Sequence, residues 1–166
     1  MKIDDLVCCQ ELYYTGKLLV MRDAAQMRLK ELHEQDRPLP VKLEGAVVFY
    51  AGPAKPTKES FGAIGPTTSI RMDCFLEMLF QQGVQATIGK GKRSDLSTSL
   101  CRRYGRAYLL APSGAAASLS KRIKSLRVIA YEDLGTEAVY EIEVENFPLI
   151  VATDKNGLDI FSFNRR

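Results

Sequence analysis

Three cationic residues and one threonine are candidates for binding a small anion. Arg71 follows a loop at residues 65–69 (GPTTS) that leads into a predicted helix, and a helix N-terminus offers backbone N–H groups to an anion. Arg22 is predicted to begin another helix, and Lys90 lies between two glycines after an apolar strand, where the backbone can approach a ligand closely. An arginine fork binds a carboxylate through two hydrogen bonds. The pattern predicts one site, for a small dicarboxylate or a phosphate, and the residues alone do not choose between them. Its members are Arg22, Thr67, Arg71 and Lys90.

Both arginines also have a purely structural explanation. Asp23 follows Arg22, and Asp73 lies two residues after Arg71, so surface ion pairs would account for the two arginines at little cost in free energy. A cation in the first turn of a helix nevertheless opposes the helix dipole by a few tenths to about 1 kcal/mol. Three cations at such positions together favour a functional explanation.

The elements that must position these residues alternate between helices and strands. Residues 5–20 predict short strands joined by a turn at Gly16, and residues 51–66 predict a loop. This order predicts an α/β domain whose sheet is not purely parallel. The predicted helices cover residues 22–35, 67–80, 95–104 and 113–124. The other predicted strands cover residues 45–50, 84–88, 107–110, 126–131, 138–144 and 148–153, with a turn at 145–148.

Length and composition exclude several classes of protein. The chain has 166 residues, 46% hydrophobic and 26% charged, which predicts a single domain over residues 1–166 with a real core. A net charge of +3 is too small to indicate nucleic-acid binding. The apolar runs fall far short of the ~20 residues of a membrane span, and the first residues lack the pattern of a secretory signal. We therefore expect a cytoplasmic protein.

The four cysteines do not have the spacing of a metal site. They include no Cys-x-x-Cys pair and no neighbouring histidine, so neither zinc nor a cluster is expected to bind this chain alone. The interpretation is that they are reduced thiols in core or half-buried positions, with the adjacent pair on opposite faces of a strand. They are Cys8, Cys9, Cys74 and Cys101.

Several motifs together identify a family. The chain resembles the β subunit, or C-terminal domain, of class I iron–sulfur fumarate hydratases and L-tartrate dehydratases, from about Leu18 to Phe161. The most specific string is GPTTSIRMD, which is followed by a matching GKG. The matching segments are residues 22–25 (RDAA), 45–53 (GAVVFYAGP), 64–73 (IGPTTSIRMD), 88–91 (IGKG), 134–138 (LGTEA), 144–148 (VENFP) and 154–157 (DKNG).

The resemblance implies a fold, an activity and a cofactor carried elsewhere. The implied fold is a three-layer swivelling β/β/α domain. The implied function is that of the β subunit of a hydro-lyase, which hydrates fumarate reversibly to malate or dehydrates tartrate. A separate α subunit would carry the [4Fe–4S] cluster, whose iron binds the substrate hydroxyl as a Lewis acid. The β subunit would supply the residues that bind the dicarboxylate.

The resemblance also assigns roles to single residues. Thr67 would lie beside the reacting carbon, as the candidate catalytic residue of this chain. Because an isolated threonine is a very weak base, Thr67 is interpreted as positioning the substrate rather than as the base itself. Thr68 and Ser69 are assigned to helix capping. The carboxylate-binding residues would be Arg22, Arg71 and Lys90.

Two positions depart from the family pattern and keep an alternative open. Gln26 stands where the family usually has histidine, and Ile70 stands where it usually has a small residue. They favour a second hypothesis, a catalytically inactive module that binds a dicarboxylate or phosphate. A third hypothesis, in which the glycine-rich loops only make turns, would require the long motif to be accidental.

The partner follows from what the predicted site lacks. A cationic site without a general base or metal ligand of its own is half an active site, so an α subunit should cover it and bury on the order of 1,000 Å² or more. We expect a hetero-oligomer, with a homodimer of β chains as another arrangement. The basic pairs at residues 102–103 and 121–122 are interpreted as solvated faces rather than nucleic-acid contacts.

Overall fold

A computed structural model of the chain describes residues 1–54, 62–112 and 116–163. The helices are α1 (Asp23–Glu34), α2 (Asp73–Gln81), α3 (Asp95–Tyr104) and α4 (Ala116–Ser120). The strands are β1 (Glu11–Val20), β2 (Val47–Phe49), β3 (Ala51–Pro53), β4 (Ile64–Pro66), β5 (Ala86–Gly89), β6 (Ala107–Leu110), β7 (Ile123–Ala130) and β8 (Val139–Thr153). Short 3₁₀ turns lie at Ile3–Asp5, Ser69–Met72, Glu132–Glu137 and Ile160–Ser162.

One mixed sheet organises the fold. Its strand order is β1-β2-β5-β6-β8-β7, with β1, β2, β5 and β6 mutually parallel and β8 antiparallel to its neighbours. Within β8, Ile150 pairs with both Glu11 and Leu110, so β8 joins β1 on one edge and β6 on the other. The predicted α/β domain with a mixed sheet is confirmed.

The parallel strands separate two hydrophobic clusters. In β2, Val47 and Phe49 belong to a cluster with side chains of β1, β6 and β8, whereas Val48 belongs to a cluster with the helices. This alternation follows from the two-residue period of a strand. The helices contribute Ala25 and Leu29 of α1 to the second cluster, together with apolar residues of α2 and α3.

Two strands are longer than the sequence indicates. β1 runs through Gly16 without a turn, and its register against β8 shifts between Tyr14 and Gly16, so the predicted pair of short strands is wrong. β8 likewise runs through the predicted turn at 145–148. Asn146 has a φ of 50° at the same irregularity, where β8 carries an additional residue against β1. A bulge therefore takes the place of both turns.

The predictions for the remaining elements are confirmed in part. Helix α3 and strand β6 have the predicted bounds, and α1 differs by one residue at each end. The helix predicted over 67–80 begins only at Asp73, after a 3₁₀ turn. The helix predicted over 113–124 is shortened to α4, because β7 already starts at Ile123, and residues 113–115 lie outside the described part. The predicted loop contains the β3–β4 pair, and its residues 55–61 are also outside the described part.

Candidate functional site

The predicted site residues follow the carboxyl ends of neighbouring parallel strands. Arg22 comes two residues after β1, and Lys90 comes directly after β5. Strand β2 lies between these two strands and is parallel to both. Because the carboxyl ends of parallel strands meet at one edge, Arg22 and Lys90 flank the end of β2. We call this region the carboxyl edge.

The segment after β2 returns Thr67 to the same edge. Strands β3 and β4 pair antiparallel, with Ala51 opposite Pro66. The Thr67 backbone N–H then donates to the Tyr50 carbonyl at 2.8 Å. The next residue, Thr68, forms a parallel bridge with Lys90. Thr67 therefore lies beside the start of the Lys90 turn, although 23 positions separate them in the sequence.

Ser69 connects the Thr67 segment to the Lys90 turn through its side chain. Its hydroxyl donates to the Thr67 carbonyl at 3.1 Å and accepts from the Lys90 N–H at 3.1 Å. The Ser69 backbone N–H donates to the Lys90 carbonyl at 3.3 Å. The assignment of Thr68 and Ser69 to helix capping is wrong, because neither side chain caps a helix N-terminus. The hydroxyl residues that predict a helix start instead include Ser69, which joins the Thr67 segment to the Lys90 turn.

The two arginines are brought together through an acidic residue. Arg71 Nη2 lies 3.2 Å from Asp23 Oδ2, and Asp23 is the first residue of α1, next to Arg22. The Arg22 side chain packs against Gly52, where an added Cβ would lie 3.0 Å from Nη1. Its Nε is 3.8 Å from Glu137 Oε1. The structure thus places the segments of all four predicted site residues at the carboxyl edge.

The structural explanation for Arg71 has the wrong aspartate, because Arg71 pairs at the surface with Asp23 rather than with Asp73. Asp73 is buried, and its Oδ1 forms an ion pair with Arg93 Nε, while its Oδ2 accepts from the Ser94 N–H at 2.9 Å and from the Ser94 hydroxyl. The Arg93 side chain is only 1% exposed. A buried pair of this kind ties the N-terminus of α2 to the turn that carries Lys90.

Arg93 is also enclosed by two aromatic rings. Its guanidinium carbon lies 5.2 Å from the ring centre of Tyr50 and 4.8 Å from that of Tyr108, which are cation–π distances. Burial raises the pKa of Tyr108 to about 12, so its hydroxyl stays protonated at neutral pH and donates to the Gly91 carbonyl at 3.0 Å. Arg93 and Tyr108 thus hold the turn that carries Lys90 through the Asp73 ion pair and the hydrogen bond to Gly91. Neither residue is among those that the sequence predicts for the site, and the sequence signal for Arg93 is its position two residues after the Gly-Lys-Gly string.

The two positions that depart from the family pattern have different surroundings. Gln26 is fully buried, and its Nε2 lies 3.4 Å from the Arg22 carbonyl and 3.2 Å from Met72 Sδ. Gln26 therefore packs between the N-termini of α1 and α2, against the backbone of Arg22. Ile70 is 48% exposed and lies in the sequence between Ser69 and Arg71, whose contacts are described above.

The cysteines do not form a metal site. Among the residues that the structure describes, no three His, Cys, Asp or Glu side chains are grouped to hold a metal ion. Cys101 is buried and Cys8 half-buried, as expected, but Cys9 and Cys74 are exposed. Cys8 and Cys9 lie in a turn with their sulfurs 3.7 Å apart, so the prediction of opposite faces is wrong. Within these described ranges the donors present do not fit an iron–sulfur cluster.

The described segments contain no helix that could cross a membrane. None of their helices has the length and hydropathy that crossing a bilayer requires.

Comparison with known proteins identifies relatives over nearly the whole chain. The family model described as "Fumarase C-terminus" matches residues 1–164. "Fumarate hydratase 2" of Leishmania major is 42% identical over 151 residues, which cover 89% of this chain and 26% of that protein. "Fumarate hydratase class I, anaerobic" of Escherichia coli is 41% identical over 150 residues, or 27% of its length. The chain thus spans about a quarter of these fumarate hydratases.

Separate subunits of similar length are also among the relatives. "L(+)-tartrate dehydratase subunit beta" of Shigella sonnei is 32% identical, with 99% of this chain and 81% of that subunit covered. "Putative L(+)-tartrate dehydratase subunit beta" of Methanocaldococcus jannaschii is 37% identical, with 97% of this chain and 84% of that subunit covered.

Proposed function

Because this chain belongs to the Fumarase C-terminus family, we propose that it is the β subunit of an iron–sulfur-dependent hydro-lyase. The reaction is the reversible hydration of fumarate to malate, or the dehydration of tartrate. The observation that carries this proposal is the convergence of three cationic segments and Thr67 at the carboxyl edge. The relatives of similar length, which are named as β subunits, support the role of a subunit.

In the proposed mechanism the cations bind the two carboxylates of the substrate. Arg71 approaches one carboxylate with its planar fork, and Lys90 supplies a more localised charge from the neighbouring turn. A carboxylate bound to Arg71 competes with Asp23, whose 3.2 Å contact orients the guanidinium at the N-terminus of α1. Arg22 completes the anion site from the end of β1. When the substrate is bound in this way, its carbon that loses the proton faces the segment that carries Thr67.

Thr67 is proposed to position the reacting carbon rather than to remove its proton. Its backbone is fixed by the hydrogen bond to the Tyr50 carbonyl, and its side chain is half-buried. A threonine hydroxyl without a neighbouring base is too weak to deprotonate carbon by itself. The base and the metal are therefore assigned to the partner.

The partner is proposed to be an α subunit that carries the [4Fe–4S] cluster. When bound, that cluster supplies a Lewis acid for the substrate hydroxyl. The proposal places no cluster ligand on this chain. We also propose that residues 1–166 form one swivelling β/β/α domain, supported by the two clusters on opposite faces of the parallel strands. The free thiols suit the reducing cytoplasm as its location.

Reconstitution tests the proposed function directly. We expect the isolated chain to hydrate neither fumarate nor other unsaturated diacids, because the proposal assigns both the metal and the base to the partner. Adding a cluster-bearing α subunit under anaerobic conditions should restore hydration, measured by loss of the diacid absorbance. The α subunit without this chain is the control. Full activity of that control would show that this chain supplies no part of the site.

A second candidate function is an inactive module that binds a small anion. Gln26 and the exposed Ile70 favour it, since both depart from the family pattern at the carboxyl edge. Titration calorimetry with malate, fumarate, tartrate and phosphate separates the two functions. We expect the assembly with the α subunit to bind dicarboxylates at least tenfold more tightly than phosphate. A preference for phosphate would favour the module.

A further inference from the structure

The hydroxyl of Ser69 is enclosed beneath the carboxyl edge and has a bonding partner on each side. Ser69 is 0% exposed. Its hydroxyl donates to the carbonyl of Thr67 and accepts from the N–H of Lys90, both at 3.1 Å. One oxygen atom thus bonds to the backbone of two residues that the proposed function places in contact with substrate.

The residue at the end of β5 is fitted to this hydroxyl. A Cβ added to Gly89 would lie 1.7 Å from Ser69 Oγ and 2.9 Å from Ser69 Cβ. Gly89 does not have the positive φ that other glycines of the chain have, so the backbone there is one that any residue can adopt. Glycine at this position is therefore required for space. The space that it leaves is occupied by the Ser69 hydroxyl.

A second set of contacts limits where the Lys90 turn can move. Tyr108 donates to the Gly91 carbonyl, and the Thr68–Lys90 bridge pairs the two segments directly. Tyr108 thus holds Gly91, and the Ser69 hydroxyl joins the Lys90 backbone to the Thr67 carbonyl.

We propose that Ser69 is a positioning residue that sets the separation between Thr67 and Lys90, and so aligns the reacting carbon with the bound carboxylate. This inference rests on the proposed function, because it concerns the same substrate. Ser69 itself does not contact the substrate, because its side chain is fully buried. A displacement of about 1 Å at a reacting centre can lower a rate by about 100-fold.

The test compares Ser69→Ala with a matched serine variant in the assembly with the α subunit. Ser97 is also 0% exposed, and its hydroxyl has no hydrogen-bond partner among the described residues, so Ser97→Ala removes a buried hydroxyl without a bridging role. We expect Ser69→Ala to lower kcat about 10- to 100-fold and to raise KM for the diacid. Ser97→Ala should leave both within twofold. Loss of folded protein alone would lower the apparent kcat and leave KM unchanged.

Gly89→Ala approaches the same contact from the other strand and remains informative if Ser69→Ala does not fold. The added methyl must displace the Ser69 hydroxyl, so we expect the same joint change in kcat and KM. In the double variant Ser69→Ala/Gly89→Ala the thermal midpoint should recover toward that of Ser69→Ala, because the closest clash is gone, while kcat stays low. Recovery of kcat in the double variant would contradict a positioning role.

The outcomes separate this inference from the function on which it rests. If Ser69→Ala and Gly89→Ala both keep kcat and KM within twofold while Arg71→Ala is inactive, the inference is wrong and the proposed function stands. If the wild-type assembly hydrates no diacid, both are overturned.

Discussion

Replacement of Arg71 by alanine is expected to lower kcat/KM for the diacid by about 30- to 5,000-fold, because removing one member of a buried, hydrogen-bonded charge pair costs about 2–5 kcal/mol. In the proposed assembly, this pair forms only when a substrate carboxylate is enclosed between the two subunits. In the free chain the Arg71 side chain is 52% exposed and pairs with Asp23, so its loss should change the free energy of unfolding by less than about 1 kcal/mol. Steady-state kinetics of the assembly and urea denaturation of the isolated chain measure the two quantities.

Arg103 provides a matched control for Arg71. It is likewise an exposed arginine, 69% exposed, whose Nη1 lies 3.0 Å from a carboxylate oxygen of Glu77, but it belongs to the last turn of α3, away from the carboxyl edge. Arg103→Ala should therefore leave kcat/KM within twofold. Near-normal turnover of Arg71→Ala would remove Arg71 from the proposed site.

Replacement of Arg93 by alanine is expected to destabilise the chain strongly. The substitution leaves the buried Asp73 carboxylate without its counter-ion, which costs about 3–5 kcal/mol, and it removes the cation between Tyr50 and Tyr108. For a chain of this length each kcal/mol lowers the melting temperature by roughly 2–4 °C. Thermal and urea unfolding of the isolated chain measure the loss, without any need for the partner.

Arg28 is the control for this second substitution. It also pairs with an aspartate, Asp133, at 2.6 Å and lies 5.2 Å from the centre of an aromatic ring, that of Tyr131. Its contacts are exposed to solvent, so Arg28→Ala should cost less than about 1 kcal/mol. Equal losses for the two arginine variants would mean that burial contributes nothing to the Arg93 network.

Local periodicity predicted the elements that are determined locally. Helix α3 is amphipathic and ends at Tyr104, and the φ of 62° at the next residue, Gly105, suits the left-handed position after a helix. The predicted bounds of α3 are confirmed. The errors lie where pairing with a distant strand outweighs local turn signals. Pro148 indicates a turn, yet it lies in β8 opposite Tyr13 of β1. Among the described strands, none pairs with the other edge of β8 between Val144 and Ile150. A proline is tolerated there because no strand requires its missing N–H.

In the candidate site, too, local features could be predicted from the sequence and contacts between distant segments could not. Arg22, Arg71 and Lys90 could be proposed from the sequence because a charge in an unfavourable or glycine-flanked position is visible locally. Most of the contacts that support them could not, since those contacts join segments that are distant in the sequence, such as Ser69 with Lys90 and Asp73 with Arg93. Asp73 has a nearer arginine in sequence but pairs with Arg93. Ser69 has the residue type of a helix cap but bonds to Lys90. Residue type alone does not reveal which of several partners a side chain meets.

The long strand β8 also constrains how the chain acquires its fold. Residues of β1, near the N-terminus, find their antiparallel partners at positions 140–150, so their pairing must close a loop of more than a hundred residues. Contacts between such distant positions slow folding, typically to milliseconds or seconds. During translation, β1 emerges from the ribosome long before β8, so the edge of β1 that pairs with β8 stays unpaired until β8 has been synthesised. Chaperone binding to the nascent chain would protect that edge until residues 139–153 have been synthesised.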